Sequence, residues 1–335
     1  MSAAFGLIVL AALPSSLIVT LLALRAGVID EPTLRSSHAE PTPRAGGLGV
    51  LAGLSAGVLA AAFTAVPAPQ LGAVTALAGL FGLLGLADDV FTVNTKVKFA
   101  LFAVLCVLLA QLAGPVDRLA LTLELGLELH PAVALLGSAL FVFVVVNAVN
   151  FMDGSDGMLA AVMIPAGAGL SVAGLVSGTG AASVIGAALA AALAGFVVLN
   201  RPPARVFAGD VGSLTAGAAY AGGALAMAGD GFSGSLWLAP MFVLVFLTDV
   251  LLTLLRRARR RAAMLEAHCE HAYQRLIRQG WSHGRVAAAY GGLTAVIVLT
   301  GLAAAQGPDG AVLAAFLVWL AGLCWLYGRV GEPEA

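Results

Sequence analysis

Residues 135–158 read LLGSALFVFVVVNAVNFMDGSDGM. The first half of this stretch is apolar, as in a helix that crosses a membrane. Its end gathers Asn147, Asn150, Asp153 and Asp156, one polar side chain every three residues. Amides and carboxylates are costly to keep in or near lipid, so their concentration at one helix end indicates a functional site.

The whole chain has the composition of a membrane protein. Its 335 residues are 60% hydrophobic and 10% charged, with a mean hydropathy of +0.99, whereas soluble domains carry about 25% charged residues. The formal net charge of −1 offers no broad basic surface, so no nucleic-acid partner is predicted. The three cysteines are too widely spaced to indicate a disulfide framework or a CxxC metal site.

Apolar segments near 20 residues recur along the chain and predict an all-α, polytopic integral membrane protein. The first segment has no basic residue before Arg25, so it is interpreted as a retained span, not a signal peptide. Residues 1–335 are predicted to form a single membrane-embedded domain. We expect eleven spans, near residues 3–24, 46–66, 69–87, 97–115, 131–150, 158–176, 181–199, 212–229, 236–255, 286–305 and 309–328.

The basic residues predict an orientation. With the N-terminus outside, sixteen of the seventeen Lys and Arg residues fall on the inner side and only Arg118 lies outside. The polar motifs that follow the odd-numbered spans then all face the cytoplasm. The sequence therefore predicts a multi-pass membrane protein with its N-terminus outside and with its C-terminus and polar loops in the cytoplasm.

Two acidic groups in these loops favour phosphate chemistry with a hard metal ion. The adjacent carboxylates of Asp88 and Asp89 repel each other, so Lys96 or Lys98, a bound cation or a substrate proton must compensate them. The oxygen-bearing side chains of residues 147–156 suit Mg²⁺, which binds one or two carboxylates together with substrate phosphates. For Asp88 and Asp89, the alternative is a solvated helix end. For the side chains of residues 147–156, the alternative is that they only cap the end of the helix.

Three further stretches contribute polar groups on the same side. FAGDVGS, residues 207–213, places Asp210 where a Gly-flanked turn enters an apolar span, and free N–H groups at such a turn favour anions. HCEH contains His268 and His271, and with Arg275, Arg278 and the upstream arginines at 256–261 it is interpreted as a cationic cover for a phosphate-bearing ligand. Binding of a soft metal such as zinc is the alternative, but a single HCEH cannot supply a closed structural zinc site. The arginine run has an alternative role in anchoring the span at anionic lipid headgroups. Asp249 is either functional or held by Thr248 and neighbouring helix ends.

The motifs together resemble those of the polyprenyl-phosphate N-acetylhexosamine-1-phosphate transferases, glycosyltransferase family 4. The resemblance runs in order through residues 30–276. Its five blocks are DEPTLRSSHAEPTPRAGGL, LGLADD with Lys96 following, NAVNFMDGSDGM, NRPPARVFAGDVGSLTAG and HAYQRL.

The resemblance implies a role for each matching residue. Asp88 and Asp89 match paired aspartates that engage or deprotonate the lipid phosphate, and Asn150 and Asp210 match Mg²⁺ ligands. The substrate-binding side is expected to include Asn147, Asp153, Asp156, the uracil-stacking Phe207, the lysine Lys96, and His268 and His271 of a histidine-rich loop. HCEHAYQ departs from the tighter HxHH or HHH cluster of the family, which leaves the donor sugar open.

The implied activity is transfer of an N-acetylhexosamine-1-phosphate from a UDP-sugar to undecaprenyl phosphate, with release of UMP, as the first membrane step of O-antigen or related glycan assembly. The implied cofactor is Mg²⁺, with Mn²⁺ as a substitute, and the donor carries GlcNAc or a 6-deoxy sugar such as FucNAc or QuiNAc. A homodimer is left open. The alternatives are a secondary transporter with a cytoplasmic acidic site, a non-catalytic assembly protein, and a related transferase of peptidoglycan or teichoic-acid synthesis.

Overall fold

A computed structural model describes residues 2–26, 29–30, 42–64, 66, 68–91, 93–122, 124–230, 234–261 and 269–331. Helices α1 to α13 within these ranges are Ser2–Ala26, Gly47–Ala61, Leu71–Phe91, Thr95–Ala113, Pro131–Met152, Met158–Ser177, Gly180–Asn200, Gly209–Asp230, Ser235–Met241, Leu244–Arg259, Ala272–Arg278, His283–Ala304 and Ala311–Arg329. Four short strands form two antiparallel pairs, β1 (Ile29–Asp30) with β2 (Thr42–Pro43) and β3 (Arg118–Ala120) with β4 (Gly126–Glu128).

The predicted all-α, polytopic membrane architecture is confirmed. Nine helices of the described residues are long and apolar enough to cross a membrane, and α9 with α10 would supply a tenth span. Large apolar side chains stand exposed along these helices, as expected where they face lipid: Leu10 is 74% exposed and Val318 is 71% exposed. Each of the eleven predicted segments overlaps a helix or the α9–α10 pair, while the count of eleven spans and the orientation stay predictions.

Two of the predicted segments differ in shape from a simple span. The segment at 46–66 contains a helix of only 15 residues, because the chain turns at residues 62–64. The segment at 236–255 is broken into α9 and α10, whose axes differ by 66°. Pro240 lies just before this break, and proline is a common cause of sharp helix bends because it removes a backbone hydrogen bond and crowds the preceding turn.

Two helices form the centre of the molecule. α8 is almost wholly buried and packs against α3, α5, α2 and α7, while α7 packs against α6, α1 and α2. Glycine and alanine dominate the sequences of both helices, which lets neighbouring backbones approach closely. α4 packs against α5 and α3. This arrangement brings the start of α8 to the ends of α3 and α5 and to the start of α4.

The end of α5 is set by its own sequence. The helix begins at Pro131, whose missing N–H costs nothing at a first helical position, and His130 Nδ1 accepts the N–H of Ala132 at 3.3 Å. It ends at Met152, and Gly157 has a φ of +74° before α6 begins. The helix thus ends within NFMDGSDG, and the polar residues lie around its terminus.

Candidate functional site

The centre of the candidate site is an ammonium group between two carboxylates. Lys98, in the first turn of α4, donates from Nζ to the carboxylate of Asp88 near the end of α3. The same Nζ donates to Asp210 Oδ2 in the first turn of α8 at 2.8 Å. The side chains of Lys98, Asp88 and Asp210 are 27%, 24% and 24% exposed. We call these three residues the carboxylate cluster; it opens to the surface at the ends of membrane-spanning helices.

Asp89 has a different position from its neighbour Asp88. Its side chain is only 8% exposed, its Oδ1 lies 3.9 Å from Arg44 Nη1, and its Oδ2 accepts the backbone N–H of Asp210 at 2.9 Å. Gly209 precedes Asp210 with a φ of +64°, and a Cβ at this position would lie 2.7 Å from Asp89 Oδ2. Asp89 therefore holds the start of α8 in place, while Asp88 faces the open side of the carboxylate cluster.

Asn150 brings α5 to the same place. Its Nδ2 donates to Asp210 Oδ1 and to Ser213 Oγ, both at 2.9 Å. The two residues that the sequence indicates as metal ligands are thus neighbours, although they are sixty positions apart in the chain. Turning the Asn150 amide over would present its carbonyl oxygen beside the Asp210 carboxylate.

This pair has the donor chemistry of a magnesium site that a ligand phosphate completes. No group of three His, Cys, Asp or Glu side chains suited to a metal ion occurs in the described part of the chain. Mg²⁺ commonly binds through one or two protein oxygens together with substrate phosphates and water, so an amide and a carboxylate are sufficient. The residues present therefore fit Mg²⁺, and the metal role of Asn150 and Asp210 stays a prediction.

The remaining polar residues of the α5 end make separate contacts. Asn147 Nδ2 donates to the carbonyl of Phe143 in its own helix at 2.7 Å. Asp153 caps the end of α5, and burial, together with the nearby Asp210 carboxylate, raises the pKa of Asp153 well above its ordinary value of 3.8. Asp153 is thus an acid whose negative charge the surrounding protein disfavours.

Asp156 lies beyond the helix and is bound to other elements. Its Oδ2 accepts the N–H of Ala204 at 3.0 Å, and its Oδ1 lies 3.5 Å from His283 Nδ1 in the first turn of α12. The N–H of Gly157 donates to Asn200 Oδ1 at 3.0 Å. Asp156 therefore joins the α5–α6 connection to the loop that leads towards Phe207, which gives it a structural role besides the predicted substrate contact.

Phe207 joins two chain segments through its backbone. Its N–H donates to the carbonyl of Pro43 at 2.8 Å, and its own carbonyl accepts the N–H of Gly46 at 2.9 Å. These bonds bring the segment that carries Arg44 to the start of α8. Stacking of the Phe207 ring on uracil stays a prediction.

Lys98, and not Lys96, lies among the carboxylates. Lys96 is exposed, and its backbone N–H donates to the capping Asn94 side chain at 3.0 Å. Residues two apart on a helix point about 200° away from each other, so only one of the two lysines can face α3. The sequence left open whether Lys96 or Lys98 compensates the charge of the paired aspartates, and the structure selects Lys98. Substrate binding by Lys96 stays a prediction.

The histidine-containing segment is held by Asp249. His268 lies outside the described residues. His271 is 4% exposed, and its Nδ1 faces Asp249 Oδ1 at 3.3 Å. The Asp249 carboxylate also accepts the N–H groups of Ala272 and Tyr273 at 2.8 and 3.2 Å and the Tyr290 hydroxyl at 2.7 Å.

Asp249 therefore fixes the start of α11, a role that the sequence left undecided. α11 in turn reaches the end of α5, because the Tyr273 hydroxyl donates to the carbonyl of Phe151 at 3.4 Å. A Cβ at Gly154 would lie 2.0 Å from the same hydroxyl, so the glycine makes room for this contact. The segment lies next to the α5 end, with the His271 ring directed at Asp249.

Known proteins match this chain over most of its length. The model of glycosyl transferase family 4 matches residues 71–228, which include Asp88, Lys98, Asn150 and Asp210. A Bacillus subtilis protein named "Probable undecaprenyl-phosphate N-acetylglucosaminyl 1-phosphate transferase" is 28% identical over 79% of this chain and 74% of its own.

The names of two further relatives describe two related phosphosugar transfer reactions. The decaprenyl-phosphate N-acetylglucosaminephosphotransferase of Mycolicibacterium smegmatis is 29% identical over 80% of this chain and 73% of its own. The phospho-N-acetylmuramoyl-pentapeptide-transferase of Symbiobacterium thermophilum is 32% identical over 83% of this chain and 87% of its own. The family expected from the motifs is confirmed: the chain belongs to glycosyl transferase family 4.

Proposed function

We propose that this protein transfers an N-acetylhexosamine-1-phosphate from a UDP-sugar to undecaprenyl phosphate and releases UMP. The observation that carries the proposal is the carboxylate cluster at the ends of α3, α4 and α8. At that position a phosphate on a membrane lipid and a nucleotide from the aqueous phase can reach the same side chains. A transporter would instead place its polar site near the bilayer midplane.

The lipid phosphate is the nucleophile in this proposal. One of its oxygens attacks the β-phosphorus of the UDP-sugar; the new P–O bond forms the lipid diphosphate, and the bond from the β-phosphorus to the bridging oxygen breaks to release UMP. Lys98 supplies positive charge to the incoming phosphate, and Asp88 orients it or accepts its last proton. Because a phosphate monoester is largely ionised at neutral pH, orientation is the larger part of the role of Asp88.

The donor is held from the α5 and α8 sides. Mg²⁺ on Asn150 and Asp210 would neutralise the diphosphate and the charge that develops in the transition state. Asp89 keeps Asp210 in position through its backbone N–H. The uridine side is assigned to Asn147, Asp153, Asp156, Phe207 and the segment with His268 and His271.

The donor sugar and the membrane orientation belong to the proposal as well. Two of the relatives named above act, by their names, on N-acetylglucosamine phosphate, which supports a UDP-N-acetylhexosamine donor and a step early in cell-surface polysaccharide synthesis. The phospho-N-acetylmuramoyl-pentapeptide relative gives a second candidate, a peptidoglycan-precursor donor. The distribution of basic residues supports a multi-pass bacterial inner-membrane protein with its site facing the cytoplasm.

The test uses the purified full chain in detergent micelles. UMP release is measured with Mg²⁺, undecaprenyl phosphate and either UDP-GlcNAc or UDP-MurNAc-pentapeptide. We expect release with UDP-GlcNAc that requires both the lipid phosphate and the metal ion. Release with the pentapeptide donor alone would select the second candidate, and lipid-dependent UMP release from neither donor would refute both.

A further inference from the structure

A groove with a basic end and an apolar end lies between α10 and α13, apart from the carboxylate cluster. Its volume is about 420 Å³, and Arg256, Arg259 and Arg260 line one end. Leu252 and Leu255 line the other end. Positions 256, 259 and 260 share one face of the α10 terminus, since residues three and four apart are neighbours on a helix.

The base of this groove is fixed by contacts between the two helices. Tyr327 of α13 lines the groove, and its hydroxyl lies 2.9 Å from Thr253 Oγ1 of α10. The guanidinium of Arg275 covers the Tyr327 ring at 4.7 Å from its centre. The groove is therefore a formed feature of the fold and not a gap between two loosely associated helices.

The arginines of the α10 terminus are divided between two directions. Arg257 is 5% exposed and forms an ion pair with Glu270, next to the segment that carries His271. Arg259 and Arg260 are exposed on the groove side. Arg257 thus lies beside the segment where the sequence predicted a cationic cover, whereas Arg256, Arg259 and Arg260 line the groove.

We propose that the groove binds an anionic glycerophospholipid, with its phosphate between the arginines and an acyl chain along the apolar end. Guanidinium groups bind phosphate oxygens through paired hydrogen bonds. Leu255, at the apolar end, is 45% exposed. Helices of this kind lie in a bilayer, where a phosphate at the helix end comes with acyl chains below it.

This chemistry selects a headgroup with net negative charge. The three arginines repel the quaternary ammonium of phosphatidylcholine, whereas phosphatidylglycerol has a phosphate and no positive charge. Each arginine near a membrane surface contributes a factor of about five in binding. Losing two of the three should therefore weaken binding of phosphatidylglycerol by roughly 10- to 30-fold.

The first experiment counts lipids on the full chain by native mass spectrometry. Detergent-solubilised protein is titrated with phosphatidylglycerol or with phosphatidylcholine of the same acyl chains. We expect saturable binding with a preference for phosphatidylglycerol, and loss of that preference in the double variant Arg259→Gln/Arg260→Gln. The matched control, Arg25→Gln/Arg285→Gln, removes the same charge outside the groove and should keep the preference. Equal binding of both lipids, or an equal loss in both double variants, would overturn the proposal.

The second experiment places the lipid without altering any arginine. Cys324 lines the groove and is exposed, whereas Cys106 is buried, so a Cys269→Ser background leaves Cys324 as the reactive thiol. Phosphatidylglycerol should slow its alkylation by a maleimide several-fold, and inorganic phosphate should not. Unchanged alkylation, or equal protection by inorganic phosphate, would show that the groove is not a lipid site.

Discussion

Replacing Lys98 by methionine should remove most of the activity while keeping the fold. Methionine has nearly the length and volume of the lysine stem, so the change removes the ammonium and little packing. In the structure that ammonium donates to the carboxylates of Asp88 and Asp210 at the same time. Without it, the carboxylates of Asp88 and Asp210 would face each other with no ammonium between them, and the lipid phosphate would lose the positive charge that Lys98 supplies.

The size of the effect follows from the positive charge that Lys98 supplies to the incoming phosphate. Removing one donor that stabilises charge in a transition state costs about 10²- to 10³-fold in turnover. Because the side chains of Lys98, Asp88 and Asp210 are about one-quarter exposed, water screens part of this charge, and we take the lower value. The expected loss is therefore about 10²-fold, measured as the initial rate of UMP release at saturating donor and lipid phosphate.

Lys96→Met is the matched control because it removes the same charge from the exposed side of the same helix. It should lose far less activity than Lys98→Met, and both variants should keep the elution profile of the unmodified protein. If Lys96→Met lost about 10²-fold while Lys98→Met stayed near the unmodified rate, the assignment of the central cation would be wrong.

Three further predictions concern the supports of the site. Gly85→Ala should lower the melting temperature by the equivalent of about 1–3 kcal/mol, because its Cβ would lie 2.5 Å from the carbonyl carbon of Asp210. Gly79→Ala on the same helix should not, because its Cβ would make an ordinary contact of 3.7 Å with Leu51 Cδ1. Since the pKa of Asp153 is raised on folding, this carboxyl group binds more protons in the folded protein than in the unfolded chain, so without ligands its contribution to stability should fall as pH rises above about 4. Asp153→Asn should make the fall of the melting temperature with rising pH less steep and should raise the melting temperature at neutral pH. A steeper fall in the variant would contradict the raised pKa of Asp153. Asp249→Asn should lower the free energy of unfolding by about 2–3 kcal/mol, because the N–H groups at the start of α11 lose a buried charged acceptor. The change is measured by thermal unfolding in detergent.

The spans could be predicted because hydropathy is a local property of the sequence. A segment near 20 apolar residues must be helical in lipid whatever its neighbours are, since its backbone has no other hydrogen-bond partners there. The break between Met241 and Leu244 could not be placed in the same way. Pro240 marks a possible bend, but its angle depends on how α9 and α10 pack against other helices.

The carboxylate cluster could be predicted in part. The acids of α3, α5 and α8 all follow or precede apolar spans at the same predicted face, so their convergence was foreseeable. The partner of Asp88 was not, because the facing lysine depends on the rotation of α4 about its axis. The contacts of Asp249 with the start of α11 were also hidden, since they join residues more than twenty positions apart.

The most direct test of the account follows two labels from one donor. A UDP-sugar that carries ³²P at its β-phosphorus and ¹⁴C in its sugar is given to the purified protein with Mg²⁺ and undecaprenyl phosphate. We predict that both labels reach the lipid in a 1:1 ratio and that UMP appears in the same amount. Transfer of ¹⁴C without ³²P, with release of UDP, would show sugar transfer without its phosphate and would contradict the proposed reaction.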